Sequence, residues 1–153
     1  MNINYKINVL TRVFKSIFLK QKPNYAIIYV DGRCNMHCGF CIHAAVDARK
    51  TPIVSAKKWG KVFRNAKSLL HLTITGGEPF LRKDLYKIVN LFKKQIVSIP
   101  TNGWLKKNIC DQINQMNHKD TEIVINLSLD GLEHTHNTVR KNEQSWDKVW
   151  EAY

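Results

Sequence analysis

Short apolar runs alternate with longer amphipathic stretches along most of the chain. The apolar runs predict four strands, namely YAIIYV at 25–30, HLTIT at 71–75, QIVSIP at 95–100 and EIVINLSL at 122–129. The stretches between and after them predict helices from Ser55 to about Leu70, from about Asp84 to Lys94, from Trp104 to about Met116, and from Ser145 onward. Strands that are apolar on both faces and alternate with helices indicate parallel βαβ units. The predicted fold class is α/β, either a doubly wound sheet or part of a (β/α) barrel.

The first part of the chain has a different pattern. Apolar residues recur at helical spacing between residues 3 and 19, with lysine and arginine among them. This pattern predicts an amphipathic basic helix in an N-terminal segment, 1–22, ahead of a core domain over 23–153. The helix could pack across one end of the domain, or it could lie on an anionic membrane surface or against a partner.

Composition narrows the class of protein. The chain has 153 residues, a length that fits one domain, and its 24 Lys and Arg against 12 Asp and Glu give a net charge of +12. Such an excess fits an acidic partner such as RNA or an anionic membrane, or simply a basic surface, because the lysines are spread along the whole chain. No apolar run approaches the roughly 20 residues of a membrane span. Four cysteines, three of them clustered, do not form a disulfide framework, so a reducing cytoplasm is the expected compartment.

Unusual residues follow each predicted strand. The segment CNMHCGFC, 34–41, follows the first strand and GGEP, 76–79, follows the second. TNG, 101–103, and SLDG, 128–131, stand at the ends of the third and fourth. Parallel α/β folds build their sites at the carboxyl ends of strands, so the four segments predict one site.

The three clustered cysteines point to a metal centre. Thiolates at Cys34, Cys38 and Cys41 could hold zinc, with His37 or His43 as a fourth ligand and Cys110 remote in sequence. They could also hold a [4Fe-4S] cluster, and three cysteines would then leave one iron open to bind a cofactor. The residues alone leave both metals open.

The motifs together resemble the radical S-adenosylmethionine (radical SAM) family. The likeness rests on the spacing of the three cysteines, on Phe40 just before the third, and on GGEP and SLDG, and it covers roughly residues 25 to 150. GGEPFLRKDL and SLDGLEHTHNTVR are similar to the subgroup that often carries a C-terminal extension of the SPASM type. The resemblance implies a partial TIM-type barrel, with about four β/α units of the usual six, behind the N-terminal helix.

The same resemblance implies a chemistry. The three cysteines would ligate a [4Fe-4S] cluster whose fourth iron binds the amino and carboxylate groups of SAM. One electron, from a donor such as a flavodoxin or ferredoxin, would cleave SAM and release a 5'-deoxyadenosyl radical that abstracts hydrogen from a substrate. The substrate is unidentified, and a peptide, a cofactor precursor and a lipid all fit.

The resemblance also assigns residue roles. The turn from Gly76 through Gly77 and Glu78 to Pro79 would bind the SAM amino group, with the glycines allowing close approach of a ligand and Glu78 supplying a carboxylate. Ser128 and Asp130 would contact the ribose or the carboxylate of SAM. The remaining candidates for SAM contacts are Phe40, Asn102 and Arg140.

Some of these residues have plainer interpretations. Asp130 and Asn102 precede glycines or lie beside them and are also typical of turns. Arg140 could be an exposed arginine on a helix. His134 and His136 could lie in a solvated loop. Cys110 is expected to be buried in a helix.

Three explanations fit the small number of β/α units: a fragment of a longer chain, a short form completed by another chain, or a degenerate relative without radical chemistry. The alternative from another class is a zinc- or cluster-binding basic module that binds RNA.

Overall fold

The computed structural model describes residues 23–42, 52–66 and 68–153, together with residues 7, 10, 11, 13, 14 and 18. These six N-terminal residues are helical, and the Thr11 hydroxyl donates a hydrogen bond of 2.8 Å to the Ile7 carbonyl oxygen one turn earlier. The rest of the amphipathic helix predicted over 3–19, and with it any packing or membrane role, lies outside the described residues. Within the described part of the chain, no helix has the length and apolarity needed to cross a membrane.

Strands and helices alternate through the rest of the chain. In chain order the elements are β1 Tyr25–Asp31, α1 Ala56–Phe63, β2 His71–Gly76, a 3₁₀ turn Pro79–Leu81, α2 Leu85–Val89, β3 Ile96–Thr101, α3 Lys106–Ile113, β4 Glu122–Leu127, α4 Glu133–Arg140 and α5 Ser145–Ala152. All strand pairs are parallel, and the sheet order is β1-β2-β3-β4. A doubly wound sheet reverses its strand order at a switch point, whereas this order runs on without reversal as in a barrel wall. The α/β class and the partial barrel are confirmed.

The helix predicted from Ser145 is present, and α1, α2 and α3 are present but shorter than the stretches that predicted them. Ser55 caps α1 as predicted, because its Oγ accepts a hydrogen bond of 3.3 Å from the backbone N–H of Lys58. The helix then ends at Phe63 instead of reaching Leu70. The unforeseen element is α4, whose polar sequence EHTHNTVR lacks an apolar stripe.

The two faces of the sheet differ in polarity. One face packs on the helices and forms the core, which includes Ile28, Val30, Leu72, Ile74, Phe80, Leu85, Ile88, Val89, Phe92, Val97, Ile99 and Ile109. On the other face Tyr25, Ile27 and Tyr29 of β1 are about half exposed. Their partners in β2 include Thr73 and Thr75. On this second face the large side chains of β1 are therefore partly exposed, and threonines of β2 stand beside them.

Candidate functional site

The segment that carries the three cysteines, residues 32–42, leaves β1 and runs directly against the GGEP turn. We call this segment the cysteine loop. The backbone N–H of Gly77 donates to the Asp31 carbonyl oxygen at 2.9 Å, and that of Glu78 donates to the Arg33 carbonyl oxygen at 2.8 Å. A Cβ on Gly76 would lie 2.1 Å from the Asp31 oxygen, and one on Gly77 would lie 2.2 Å from the Arg33 oxygen. The two glycines are therefore required by close approach of the protein's own backbone, where the sequence suggested a ligand.

The start of the cysteine loop is held by an ion pair between the exposed Arg33 and the buried Asp31. Arg33 donates from Nε and Nη2 to the Asp31 carboxylate, with a shortest contact of 2.6 Å, and its backbone N–H donates to Oδ1 at 3.0 Å. Burial raises the pKa of Asp31, but its hydrogen bonds with Arg33 and the charges of Arg33 and Arg82 outweigh burial and leave that pKa below its ordinary value. Arg82 also donates to the Val30 carbonyl oxygen at 2.9 Å. The end of β1 is thus fixed before the first cysteine.

Glu78 points into the protein. The residue is 1% exposed. Its Oε1 accepts hydrogen bonds from Phe80 N at 3.1 Å and from Thr101 Oγ1 at 2.8 Å, and its Oε2 accepts one from Asn102 N at 2.9 Å. Burial raises the pKa of Glu78 above its ordinary value, although these hydrogen bonds and the charge of Arg140 act in the opposite direction. Since a carboxylate offers about four acceptor positions, one position on Oε2 is left over.

Asn102 joins the end of β3 to the cysteine loop. Its Nδ2 lies 2.9 Å from Asn35 Oδ1 and 4.0 Å from Cys34 Sγ. Next to it on the sheet, Ser128 follows β4 and donates its backbone N–H to the Thr101 carbonyl oxygen at 2.9 Å. The GGEP turn, Asn102 and the first cysteine are therefore in contact, and Ser128 lies just beyond the end of the neighbouring strand.

The second half of the cysteine loop rests on α4. Gly39 N donates to the Val139 carbonyl oxygen at 2.9 Å, and the guanidinium carbon of Arg140 lies 5.5 Å from the centre of the Phe40 ring. Arg140 Nε donates to Asp130 Oδ2 at 2.5 Å. Arg140 is buried, so its interpretation as an exposed helix arginine is wrong. Asp130 and Arg140 thus form an ion pair beside the loop.

His136 is buried where a solvated loop was expected. It lies one helical turn before Arg140, and its Nδ1 accepts a hydrogen bond of 3.2 Å from the backbone N–H of Asp130. Its Nε2 has no hydrogen-bond partner among the described residues, and its ring contacts Trp146 edge to face. Burial, helped by the charge of Arg140, lowers the pKa of His136. The signal in the sequence was the i, i+4 spacing of His136 and Arg140, which places both side chains on the inner face of α4.

The cysteines are all free thiols. Cys34 is exposed as a residue, yet surrounding protein atoms partly desolvate its thiol and raise its pKa. Cys38 and Cys41 are half-buried, and the backbone N–H of Cys41 donates to the Cys38 carbonyl oxygen at 3.2 Å in a tight turn. Cys110 is exposed on α3, so the expectation that it is buried is wrong.

A single metal ion needs several ligands directed at one point. Among the described residues, no three His, Cys, Asp or Glu side chains are arranged in that way. His43, a possible fourth zinc ligand, lies outside the described residues.

A known protein family shares the motifs that meet at this edge of the sheet. The sequence profile of the radical SAM superfamily matches residues 28–153. The chain belongs to the radical SAM superfamily. Members of this family bind a [4Fe-4S] cluster and SAM, and they are enzymes. The likeness stated from the sequence is confirmed at the level of the family.

Two relatives of known name match most of this chain. GTP 3',8-cyclase of Campylobacter jejuni is 32% identical over 123 residues, which are 74% of this chain and 37% of that protein. Molybdenum cofactor biosynthesis protein 1 of Dictyostelium discoideum is 27% identical over 160 residues, covering 99% of this chain and 24% of that protein.

A solved structure shows the same fold. The crystal structure of Streptococcus suis SuiB aligns with a TM-score of 0.66 and 26% identity, over 97% of this chain and 35% of SuiB. The chain therefore spans little more than a third of the cyclase and of SuiB.

Proposed function

We propose that this chain forms the cluster- and SAM-binding part of a radical SAM enzyme. The observation that carries the proposal is the contact between the cysteine loop and the GGEP turn at the carboxyl edge of the sheet. Through this contact the proposed cluster ligands and the proposed SAM-binding turn form one unit. Cys34, Cys38 and Cys41 would hold the [4Fe-4S] cluster, since three thiols in a short loop are the donor set that leaves one iron open.

The GGEP turn fits a ligand that carries an ammonium group. Burial raises the pKa of Glu78, so a nearby cation would favour its ionised form. Three acceptor positions of the carboxylate are filled from within the protein, and one on Oε2 remains for a further donor. We assign the turn from Gly76 to Pro79 to the amino group of SAM on this basis.

The remaining candidates lie around the same edge. Ser128 would hold the ribose or carboxylate of SAM from the end of β4. Arg140 donates a hydrogen bond from Nε to the Asp130 carboxylate, and its other guanidinium N–H groups would suit the carboxylate of SAM. Phe40 lies in the cysteine loop and Asn102 contacts that loop, and both would enclose the cofactor there.

Cys34, Cys38 and Cys41 would hold the cluster and the GGEP turn would hold SAM, and together these groups would supply the radical chemistry for abstraction of hydrogen from a substrate. The chain's own residues bind and orient these groups. The electron would come from a flavodoxin or ferredoxin in a reducing cytoplasm. A peptide or a cofactor precursor is the substrate class that the names of the relatives support, since one SuiB structure holds a precursor peptide and the cyclases are named for GTP.

Anaerobic reconstitution with iron and sulfide, followed by EPR of the dithionite-reduced protein with and without SAM, tests the proposal. We expect a cubane signal that changes when SAM is added. A protein that takes up one zinc and no cluster, or a cluster whose signal ignores SAM, would contradict it and favour the binding-module alternative.

A further inference from the structure

The Asn102 side chain is fixed against the first proposed cluster ligand. Its Nδ2 lies 4.0 Å from Cys34 Sγ and 2.9 Å from Asn35 Oδ1, and the residue is 6% exposed. Its Oδ1 accepts a hydrogen bond of 3.0 Å from the backbone N–H of Trp104. Because the oxygen is taken by a donor, the nitrogen must face the cysteine loop.

Glu78 holds the backbone of the same residue. Its Oε2 accepts the Asn102 N–H at 2.9 Å, while its Oε1 is bound by Phe80 and Thr101. The carboxylate therefore ties the GGEP turn to the end of β3. Asn102 is anchored at its backbone nitrogen and its side-chain oxygen, which leaves its side-chain N–H groups aimed at the loop.

We infer that Asn102 is a positioning residue that donates an N–H···S hydrogen bond to the Cys34 thiolate, and that Glu78 acts on the cluster through Asn102. This inference rests on the proposed function, since it needs Cys34 as a cluster ligand. A thiolate accepts a stronger hydrogen bond than the neutral thiol does. Hydrogen bonds to cluster sulfurs stabilise the more negative reduced state and so raise the reduction potential.

The test uses the reconstituted full chain without SAM. Redox titration followed by EPR gives the midpoint potential, and iron release to a chelator gives the stability of the cluster. Asn102→Ala should shift the midpoint to lower potential and speed iron release. If this variant does not fold, Asn102→Asp keeps the shape, removes the donor and predicts the same direction. Asn90→Ala is the control, because the Asn90 side chain is hydrogen-bonded to the backbone of Gln115 and Asn117, and it should change neither quantity.

Glu78→Gln tests the second half of the inference. An amide accepts at one end only, and its oxygen keeps two donors if it stays on the side of Phe80 and Thr101, so Asn102 N–H loses its acceptor. If Glu78 acts through Asn102, Glu78→Gln alone should speed iron release. A double variant that carries both Glu78→Gln and Asn102→Ala should then release iron no faster than Asn102→Ala alone. Additive effects of the two substitutions would overturn this half.

The outcomes separate the inference from the proposed function. A wild-type chain that forms no cluster overturns both. A wild-type cluster that responds to SAM, together with an unchanged potential in Asn102→Ala and Asn102→Asp, overturns only the role of Asn102. A loss confined to the SAM-induced change of the EPR signal would likewise overturn it, since Asn102 would then act on SAM alone.

Discussion

The guanidinium group of Arg140 lies over the ring of Phe40, with 5.5 Å between the guanidinium carbon and the ring centre. The last turn of α4 therefore covers the half of the cysteine loop that contains Cys38 and Cys41. On its other side Arg140 is paired with Asp130, which follows β4. The ion pair thus links the end of the fourth strand to the loop that leaves the first.

Replacing this arginine should loosen the loop. Arg140→Met is expected to lower the free energy of unfolding by about 1–3 kcal/mol, because the charged hydrogen bond to Asp130 is lost and its carboxylate is left unpaired. Amide hydrogen exchange at Gly39, which donates to Val139, should become faster. Lys107→Met removes an exposed ion pair with Asp111 and should change neither quantity. Unaltered exchange at Gly39 would show that α4 does not restrain the loop.

The two glycines of GGEP should not tolerate a side chain. In Gly77→Ala the new Cβ would meet the Arg33 carbonyl oxygen at 2.2 Å, so the turn must separate from the cysteine loop. We expect a loss of about 3 kcal/mol in urea denaturation. Gly60→Ala is the matched control, because its Cβ would sit in α1 at 3.4 Å from Leu91 Cδ2, and helix propensity predicts a gain of up to about 1 kcal/mol. Similar small changes in both variants would refute the close-approach argument.

The iron content of alanine variants should distinguish the three cysteines of the cysteine loop from Cys110. Alanine at Cys34, Cys38 or Cys41 should abolish stable binding of the cluster, because a cubane held by two thiolates has lost a second iron ligand. Cys110→Ala, which changes an exposed thiol on α3, should retain the wild-type iron and sulfide content. The assignment fails if any of the three loop variants keeps a full cluster, or if Cys110→Ala loses it.

Acid should weaken the fold through His136. Its pKa in the folded state lies below the ordinary value of 6.5, so the unfolded chain takes up a proton first as the pH falls. The stability that neutral His136 provides is therefore complete above about pH 6.5 and declines below it. Urea unfolding between pH 8 and pH 5 should show this decline in the wild type and a smaller one in His136→Gln.

His134 provides a control variant for this experiment. His134→Gln alters an exposed position on the same helix and should keep the wild-type pH dependence. Glu78 contributes in the opposite sense, because a raised carboxyl pKa makes stability fall as the pH rises, and the comparison between variants removes its contribution. Parallel pH profiles for wild type and His136→Gln would contradict the role of the buried histidine.

The sequence predicted the strands and the motifs better than the environment of individual side chains. Short apolar runs located all four strands of the described part of the chain, and the strand ends gathered the motifs at one edge, because parallel topology leaves little choice there. It missed α4, since the inward-facing positions of that helix are the polar His136 and Arg140. It also placed Cys110 inside the protein, because periodicity identifies a helix more reliably than the face that one small residue occupies.

Glu78 shows a different limit of the sequence. The motif indicated a carboxylate for a ligand, but no local pattern reveals that Thr101 and Asn102, on the next strand, supply donors to it. Such contacts arise only when the sheet brings distant segments together.

The close fit of Gly76 and Gly77 against Asp31 and Arg33 also bears on the order of assembly. The loop that carries the cysteines takes its shape from a turn far along the chain, beyond the whole α1 crossover. Pairing across such a separation is slow, because loop-closure entropy must be overcome before the contacts form. A nascent chain would thus expose its three thiols to oxidation and stray metals until β2 has been made and docked.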